Sequence, residues 1–559
     1  MVLLKRENEI ELLLLMKKKI EKILKEVTQE EPKVEKAQKD HGDYASNIAF
    51  VIAKEEKRNP SEIARELIEK IDSPLFSKIE EKNGFLNFFL SDRALEEELT
   101  EILREEEKYA KGMSGKKVVI DYSSPNIAKS FGVGHLRSTI IGQSLYNIYG
   151  FLGWDTLGVN HLGDWGTQYG KLLYQIKKEE KDPAKLSIKE LEELYVRFHK
   201  EAEEDPQMEE RGREWFSKLE KGDKEARKIW EMCREKSLKE FEKIYNDLEV
   251  SIDHVLGESF YEDKLQGVVK EAVEKNVAKK SKGAFIIEFD DMPPAMILKS
   301  DGSTTYFTRD LAAAKYRLKE FSPDLLIYEI GADQTLHMKQ LFTAIEKLGW
   351  AKKEKFVHVP HGMFRLKEGK FSTRKGRTVH LEEVLNLAKE KAEKIIEESA
   401  TEKGLSKEEK KDIAKIVGIG AVKYNDLKRH HKRDVLFDWE QIITLKGDSG
   451  PYLQYTCVRC KSILEKAEQV GVDFNKLDEE ERKIVKRLVQ FKETVESAAE
   501  TFSPNIIAEY AFKLAKDFNA FYDTCPILKN KKRVAITKAT LIILSGCLSL
   551  LTISIPEKM

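Results

Sequence analysis

The stretch from Val118 to Gly170 constrains this chain more than any other. It reads VVIDYSSPNIAKSFGVGHLRSTIIGQSL and, further on, NHLGDWGTQYG. The apolar run Val118–Tyr122 predicts a strand, and it enters a loop rich in Pro, Asn and Gly. A helix is then predicted to open at Gly134–Thr139. Strand, glycine loop and helix N-terminus together make a receptor for phosphate, because the first N–H groups of the helix and its positive dipole end face the same point. Gly132 and Gly134 lack Cβ atoms, so a nucleotide can lie against the backbone there. Lys129 and His135 add donors for negative charge, and Asn126 and Arg137 add further polar groups. A plain strand-to-helix turn has little use for so many polar side chains. The segment NHLGDWGTQ shows no packing reason for its own, so the region reads as a nucleotide site.

The surrounding pattern is α/β. Leu136, Ile140, Ile141, Leu145 and Ile148 put one helix face onto a sheet, and Asp155–Asn160 is the next strand. Residues 171–305 interrupt the sheet. They begin as a charged helical stretch, then give a strand at Gly283–Phe289 and a hairpin in AMILKSDGSTTYF that turns at Asp301-Gly302. The sheet resumes with Leu325–Gly331, a helix, and a strand over Lys355–Phe364. This alternation predicts a multidomain α/β protein built on a Rossmann-type, doubly wound parallel sheet. In such sheets the ligand crevice lies at the carboxyl ends of the strands. Each polar motif follows one of those ends: Ser123–His135, His161–Gln168 and Gly331–His337. One shared site is therefore expected.

Residues 1–115 read as a separate α+β module, and from about Ala414 onward the chain reads as an all-helical bundle. The expected boundaries are 1–115, 116–385 with insertions within about 171–305, and 386–559. The charge balance of 97 basic against 98 acidic residues leaves any nucleic-acid surface to local basic patches such as Lys428–Arg433 and Lys529–Arg533. Five cysteines make an odd, sparse set that fits a reducing compartment. Cys457 and Cys460 form a CxxC in a helix-like run without a second pair, so packing is expected of them, and no structural metal. The first twenty residues carry charges through their apolar positions, and the run Leu541–Ile555 is short and interrupted by Ser, Thr and Gly. Neither reads as a leader or a membrane span. A cytoplasmic monomer is expected.

GVGHLRST resembles the HIGH-type signature of class I aminoacyl-tRNA synthetases. The wider string SSPNIAK…GHLRSTIIG…HLGDWGTQ is similar to arginyl-tRNA synthetases in particular, and Gly369–Gly376 (GKFSTRKG) resembles that family's form of the KMSKS loop. The resemblance covers nearly the whole chain. It implies ATP-dependent ligation of L-arginine to tRNA(Arg) through arginyl-adenylate, with ATP taken as its Mg²⁺ complex. It also implies an N-terminal domain touching the tRNA, an insertion approaching the acceptor end, and a C-terminal anticodon-binding domain.

An arginine pocket must hold a planar cation with five donors, which calls for carboxylates and oxygen acceptors set as a fork. Asp310 and Tyr306, four residues apart in TTYFTRDLAAAKYR, are implied to contact the guanidinium, with Asp121 at the end of the first strand as a further acid. Asn126 and Gln334 are implied to hold the α-amino and carboxylate groups. Gly132, Gly134, His135 and His337 are implied to line the ATP site. Lys129, Lys370, Ser372, Arg374 and Lys375 are implied to supply the catalytic charge and polar contacts on the phosphates. Two departures stand out. The usual first histidine of HIGH is Gly132 here, and Thr373 replaces the second lysine of KMSKS.

Overall fold

The structure is a computed structural model that describes residues 15–37, 41–366, 380–397, 405–467, 470–471 and 476–559. It separates into two compact units, one of residues 112–454, 498–508 and 548–559, the other of residues 1–111, 455–497 and 509–547.

The larger unit holds the parallel sheet. Its strands in chain order are β1 (Lys117–Asp121), β2 (Asp155–Asn160), β3 (His254–Val255), β4 (Leu325–Gly331) and β5 (Phe356–His361). In space they run β5-β4-β1-β2-β3, every neighbour parallel. Val118, Val119 and Ile120 are fully buried, so β1 is apolar on successive residues as a strand covered on both faces must be. The main helices here are α1 (Val133–Phe151), α2 (Thr167–Lys178), α3 (Lys224–Leu248), α4 (Tyr306–Phe321), α5 (Thr335–Lys347), α6 (Leu381–Glu397) and α7 (Lys407–Leu427). The register pairs Asp121, the last residue of β1, with Tyr328 of β4 and with Val159 of β2, so β4 runs on to Gly331 and β2 to Asn160 beyond the end of β1. The strand order reverses at β1, which places the crevice between the ends of β1 and β4.

Two expectations are corrected by this fold. The proposed hairpin has no return strand. Asp301 does make the turn, accepting the Ser303 N–H at 2.9 Å, but beyond one pairing of Thr304 with Leu298 the chain becomes helix. Thr305 caps α4 by accepting the Thr308 N–H, so the helix starts at Tyr306. The strand expected over Lys355–Phe364 is broken at Gly362, and Phe364–Leu366 pairs in parallel with Val435–Phe437 instead.

The smaller unit contains a four-stranded antiparallel sheet in the order Val34–Lys36, Tyr44–Ser46, Phe85–Leu90, Phe76–Lys82. Helices Met16–Thr28, Pro60–Lys70 and Asp92–Glu105 belong to it. Within this unit the Lys492 ammonium lies buried 2.7 Å from Glu101. Cys457 and Cys460 are buried on the helix Gly450–Lys466 as side chains of its packed face. Among the described residues, helix Lys531–Leu550 is long and apolar enough to cross a membrane, and 61% of its apolar window is buried inside the protein.

Candidate active site

The loop after β1 is held in an unusual backbone conformation. Ser123, Ser124 and Ala128 all have positive φ (74°, 50° and 57°). Non-glycine residues in that region cost energy and persist only where neighbours fix them. The fixing groups are visible. The Ser123 N–H donates to Ser138 Oγ at 2.9 Å, the Ser124 N–H to Asn160 Oδ1 at 3.1 Å, and the Ala128 N–H to Ser237 Oγ at 2.8 Å. Ser130 donates through both its N–H and its hydroxyl to Glu192 of the insertion helix Ile188–Glu204. The ammonium of Lys129 stands 5.0 Å over the ring of Tyr195 on the same helix.

Gly132 is the N-cap of α1. Its N–H donates to His135 Nδ1 at 3.3 Å, and burial lowers the pKa of His135, which leaves the ring neutral with its proton on Nε2. A Cβ added at Gly134 would meet nothing within 4 Å, so no packing need explains that glycine. Gly142, one helical stretch later, would instead strike Tyr122 at 2.3 Å.

Arg137, on the same helix and fully buried, ties this loop to its surroundings. It pairs with Asp426 at 3.0 Å and donates to the carbonyls of Gly362 (2.8 Å), Arg433 (2.7 Å) and His431 (3.2 Å). Lys370, Ser372, Arg374 and Lys375 lie outside the described residues. On the far side of that segment, the Leu381 N–H donates to the Phe131 carbonyl at 2.8 Å.

The acidic half of the site is a chain of side chains. Tyr306 and Asp310 share a face of α4 at its first turns, as an i, i+4 pair must. Asp310 Oδ2 lies 2.6 Å from His337 Nε2 on α5, and Asp310 Oδ1 lies 3.8 Å from His161 Nε2 just past β2. His161 Nδ1 is 3.4 Å from Arg317, and Arg317 donates to Asp121 Oδ2 at 2.7 Å. Residues leaving β1, β2 and β4 are thus joined in one network. Burial alone would lower the pKa of His337, but the bond and charge of Asp310 outweigh it and raise it.

The structure places the remaining candidates as follows. Asp121, implied as a further acid of the arginine pocket, is 3% exposed; its Oδ2 accepts from Arg317 at 2.7 Å and its Oδ1 from the Ser124 hydroxyl at 3.2 Å. Asn126 is half-buried against Gly163, where an added Cβ would come 2.2 Å from its Oδ1. Gln334 is exposed in the turn Ala332–Gln334 and donates to Asp333 at 3.1 Å. Tyr306 is 55% exposed, its ring 5.3 Å from the Arg309 guanidinium.

Two features escaped the sequence. The polar groups of NHLGDWGTQ do have a packing reason. Asp164 is fully buried and accepts from the Ser259 N–H and hydroxyl, both at 2.8 Å, and from Arg234 at 3.1 Å. It thereby pins the turn that carries Glu258. That glutamate has a buried Oε2 without a partner among the described residues. Its pKa is pushed up to about 8, chiefly by burial, with the negative charges of Asp310 and Asp164 adding to the rise. Glu258 follows β3 just as the other motifs follow their strands. The two-residue length of β3 hid that relation.

The central strand of this doubly wound sheet thus leads through a glycine loop into a helix N-terminus, with a side-chain network from three strand ends in the same unit, and the catalytic-domain match is to class I synthetases. Residues 98–439 match the family described as tRNA synthetases class I (R), catalytic domain. Residues 14–90 match the arginyl tRNA synthetase N terminal domain, and residues 453–559 the DALR anticodon binding domain. The chain is 42% identical to the arginine–tRNA ligase of Exiguobacterium sibiricum over 541 residues, covering 95% of each. It is 42% identical to that of Clostridioides difficile over 561 residues, 97% of this chain and 98% of the other. The crystal structure of arginyl-tRNA synthetase from Plasmodium falciparum superposes with a TM-score of 0.83 at 27% identity, covering 97% of this chain and 99% of that one. The chain belongs to the arginyl-tRNA synthetase family.

Proposed function

We propose that the chain ligates L-arginine to tRNA(Arg) at the expense of ATP, in two steps run in the crevice between the ends of β1 and β4. An oxygen of arginine's carboxylate attacks the α-phosphorus of ATP, and pyrophosphate leaves with the bonding pair. A ribose hydroxyl of the tRNA's terminal adenosine then attacks the arginyl carbonyl, and AMP leaves. Neither step uses a covalent enzyme intermediate, so the side chains act by positioning and by stabilising charge. ATP enters as its Mg²⁺ complex, a substrate. Gly132, Gly134 and His135 face its phosphates and ribose, and Lys129, Lys370, Ser372, Arg374 and Lys375 bring positive charge and hydroxyl contacts to them.

Arginine's guanidinium lies between Tyr306, Asp310 and Glu258, displacing His337 from Asp310. Asn126 and Gln334 hold the α-amino and carboxylate ends. Asp121 acts through Arg317. The observation that carries this reading is the unbroken chain Asp121–Arg317–His161–Asp310–His337, which brings acid chemistry to the strand ends beside the phosphate-receiving helix.

The division of labour follows the expected boundaries. Residues 1–115 contact the tRNA body, 116–385 carry the chemistry, and 386–559 read the anticodon, in a cytoplasmic monomer. The N-terminal module has a cavity of about 530 Å³ whose wall includes Lys36, His41, Lys82, Phe85 and Asn87, together with Lys33 paired to Glu35. The deciding experiment is aminoacylation of total tRNA with each of the twenty amino acids in turn. Arginine alone should be esterified, and charging by a neutral amino acid instead would overturn the assignment.

A further inference from the structure

We propose that Tyr195 of the insertion helix Ile188–Glu204 is a positioning residue for adenylate formation: its ring face holds the Lys129 ammonium, uncompensated, for the nucleotide phosphates, while Glu192 of the same helix fixes the loop beside it. The inference rests on the functional reading above, since it concerns the cation which that reading gives to the phosphates.

Four consecutive residues of the loop after β1 each meet a side chain of the insertion. The Ala128 N–H donates to Ser237 Oγ of α3 at 2.8 Å. The Lys129 ammonium stands 5.0 Å from the ring centre of Tyr195. Ser130 donates its N–H at 3.3 Å and its hydroxyl at 2.7 Å to a single oxygen, Glu192 Oε2. The Phe131 ring packs edge to face with Phe241 and Tyr245, both on α3. Phe131 leads directly into Gly132, the N-cap of α1. The loop that enters this helix is therefore shaped by a segment from outside the sheet.

The grips on Lys129 and Ser130 differ in kind. The carboxylate of Glu192 takes the serine and not the neighbouring lysine. Among the described residues Lys129 makes no ion pair, and its ammonium has the Tyr195 ring as its partner. A carboxylate in the place of that ring would cancel the lysine's charge before a nucleotide arrived. An aromatic face attracts a cation through its quadrupole and has no net charge to cancel it. It also leaves the three N–H donors of the ammonium for an anion. A lysine free to swing loses its rotamer freedom on meeting phosphate, whereas one already held has lost part of it beforehand. The ring itself is fixed by His199, one turn further along the helix, which packs at 75° to it with ring centres 4.7 Å apart. During adenylate formation, charge accumulates on the oxygens of the α-phosphate and on the departing pyrophosphate, and a cation already in place stabilises it without reorganisation.

The test is arginine-dependent ATP–pyrophosphate exchange with tRNA present, using the full chain. Tyr195→Leu should lower kcat about fivefold, the size of a cation–π contact, with the KM for arginine unchanged. Tyr195→Phe keeps the ring face and should exceed Tyr195→Leu by about threefold or more. A double-mutant cycle separates positioning from packing. Once Lys129→Ala has removed the ammonium, adding Tyr195→Leu should cost no further rate. Glu192→Ala, which releases the loop, should lower kcat about tenfold alone and less than about twofold in the Lys129→Ala background. A role confined to packing would multiply with the loss of Lys129. Tyr195→Leu at the wild-type rate, Tyr195→Phe no faster than Tyr195→Leu, or losses that multiply in the cycle overturn the proposal. Should Tyr195→Leu not fold, Tyr195→Trp should exceed Tyr195→Gln by about fivefold, and equal rates overturn it. Wild-type protein without arginine-dependent exchange sinks the functional reading and this assignment with it. An active wild type with an equally active Tyr195→Leu sinks only this assignment.

Discussion

The proposed phosphate half of the site and the proposed guanidinium half are built by different means. The phosphate half is mostly backbone. Gly132, the open Gly134, the first N–H groups of α1 and the strained turn at Ser123 and Ser124 shape it, and side chains serve to lock that backbone. The guanidinium half is side chains from four elements, held by one another through Asp121, Arg317, His161, Asp310 and His337. A backbone site tolerates the loss of one side chain because its donors are intrinsic to the helix end. A side-chain network does not, because removing one member leaves another buried and unpaired.

This contrast can be broken by substitution. The largest effect is expected at Arg317, which is fully buried against Asp121. Arg317→Met should cost about 3–5 kcal/mol in urea unfolding by stranding the Asp121 carboxylate. Adding Asp121→Asn should restore most of it, and a single variant as stable as wild type would show that the network is not what holds this half together. Next is Asp310→Asn, which should lower kcat/KM for arginine roughly 100-fold or more while leaving the KM for ATP in place. A parallel loss in both would mean that the two halves are not separable. On the backbone side, Lys129→Ala should reduce the rate of adenylate formation by about tenfold with little change in arginine affinity, because the helix end still binds phosphate. Equal losses in single-turnover rate and in affinity would contradict that.

The smallest effect is a pH dependence at Glu258. Burial raises its pKa to about 8 from an ordinary 4.5, so the folded protein keeps a proton that the unfolded chain has lost. The stability this contributes is complete below about 4.5 and fades as the pH rises toward about 8. Glu258→Gln cannot ionise, so without ligand its unfolding midpoint should gain on wild type across that window. A constant difference between the two proteins would remove Glu258 from the pocket.

The legibility of the two halves in the sequence differs for the same reason. His135, Gly134 and the helix that carries them follow from local periodicity and glycine placement. Tyr306 and Asp310 came from the family resemblance, and the start of α4 at Tyr306 puts them one turn apart on a helix face. Arg317 reads in sequence as one more cation on a charged helix, and only its burial shows its role. Glu258 was hidden behind a strand of two residues, His254–Val255. Asp164 lies in the polar segment NHLGDWGTQ, for which the sequence showed no packing reason, and it braces the Glu258 turn.

The amino-acid sequence on its own determined the alternation of strands and helices, the glycine loop leading into a helix and the family, because periodicity, glycine placement and motif strings are local properties of the chain. Which carboxylates remain free for a ligand, which are spent on internal cations, and that Glu192 lies against Ser130 were decided only in three dimensions. Ion pairing and hydrogen bonding at such separations depend on distances that the folded packing alone fixes.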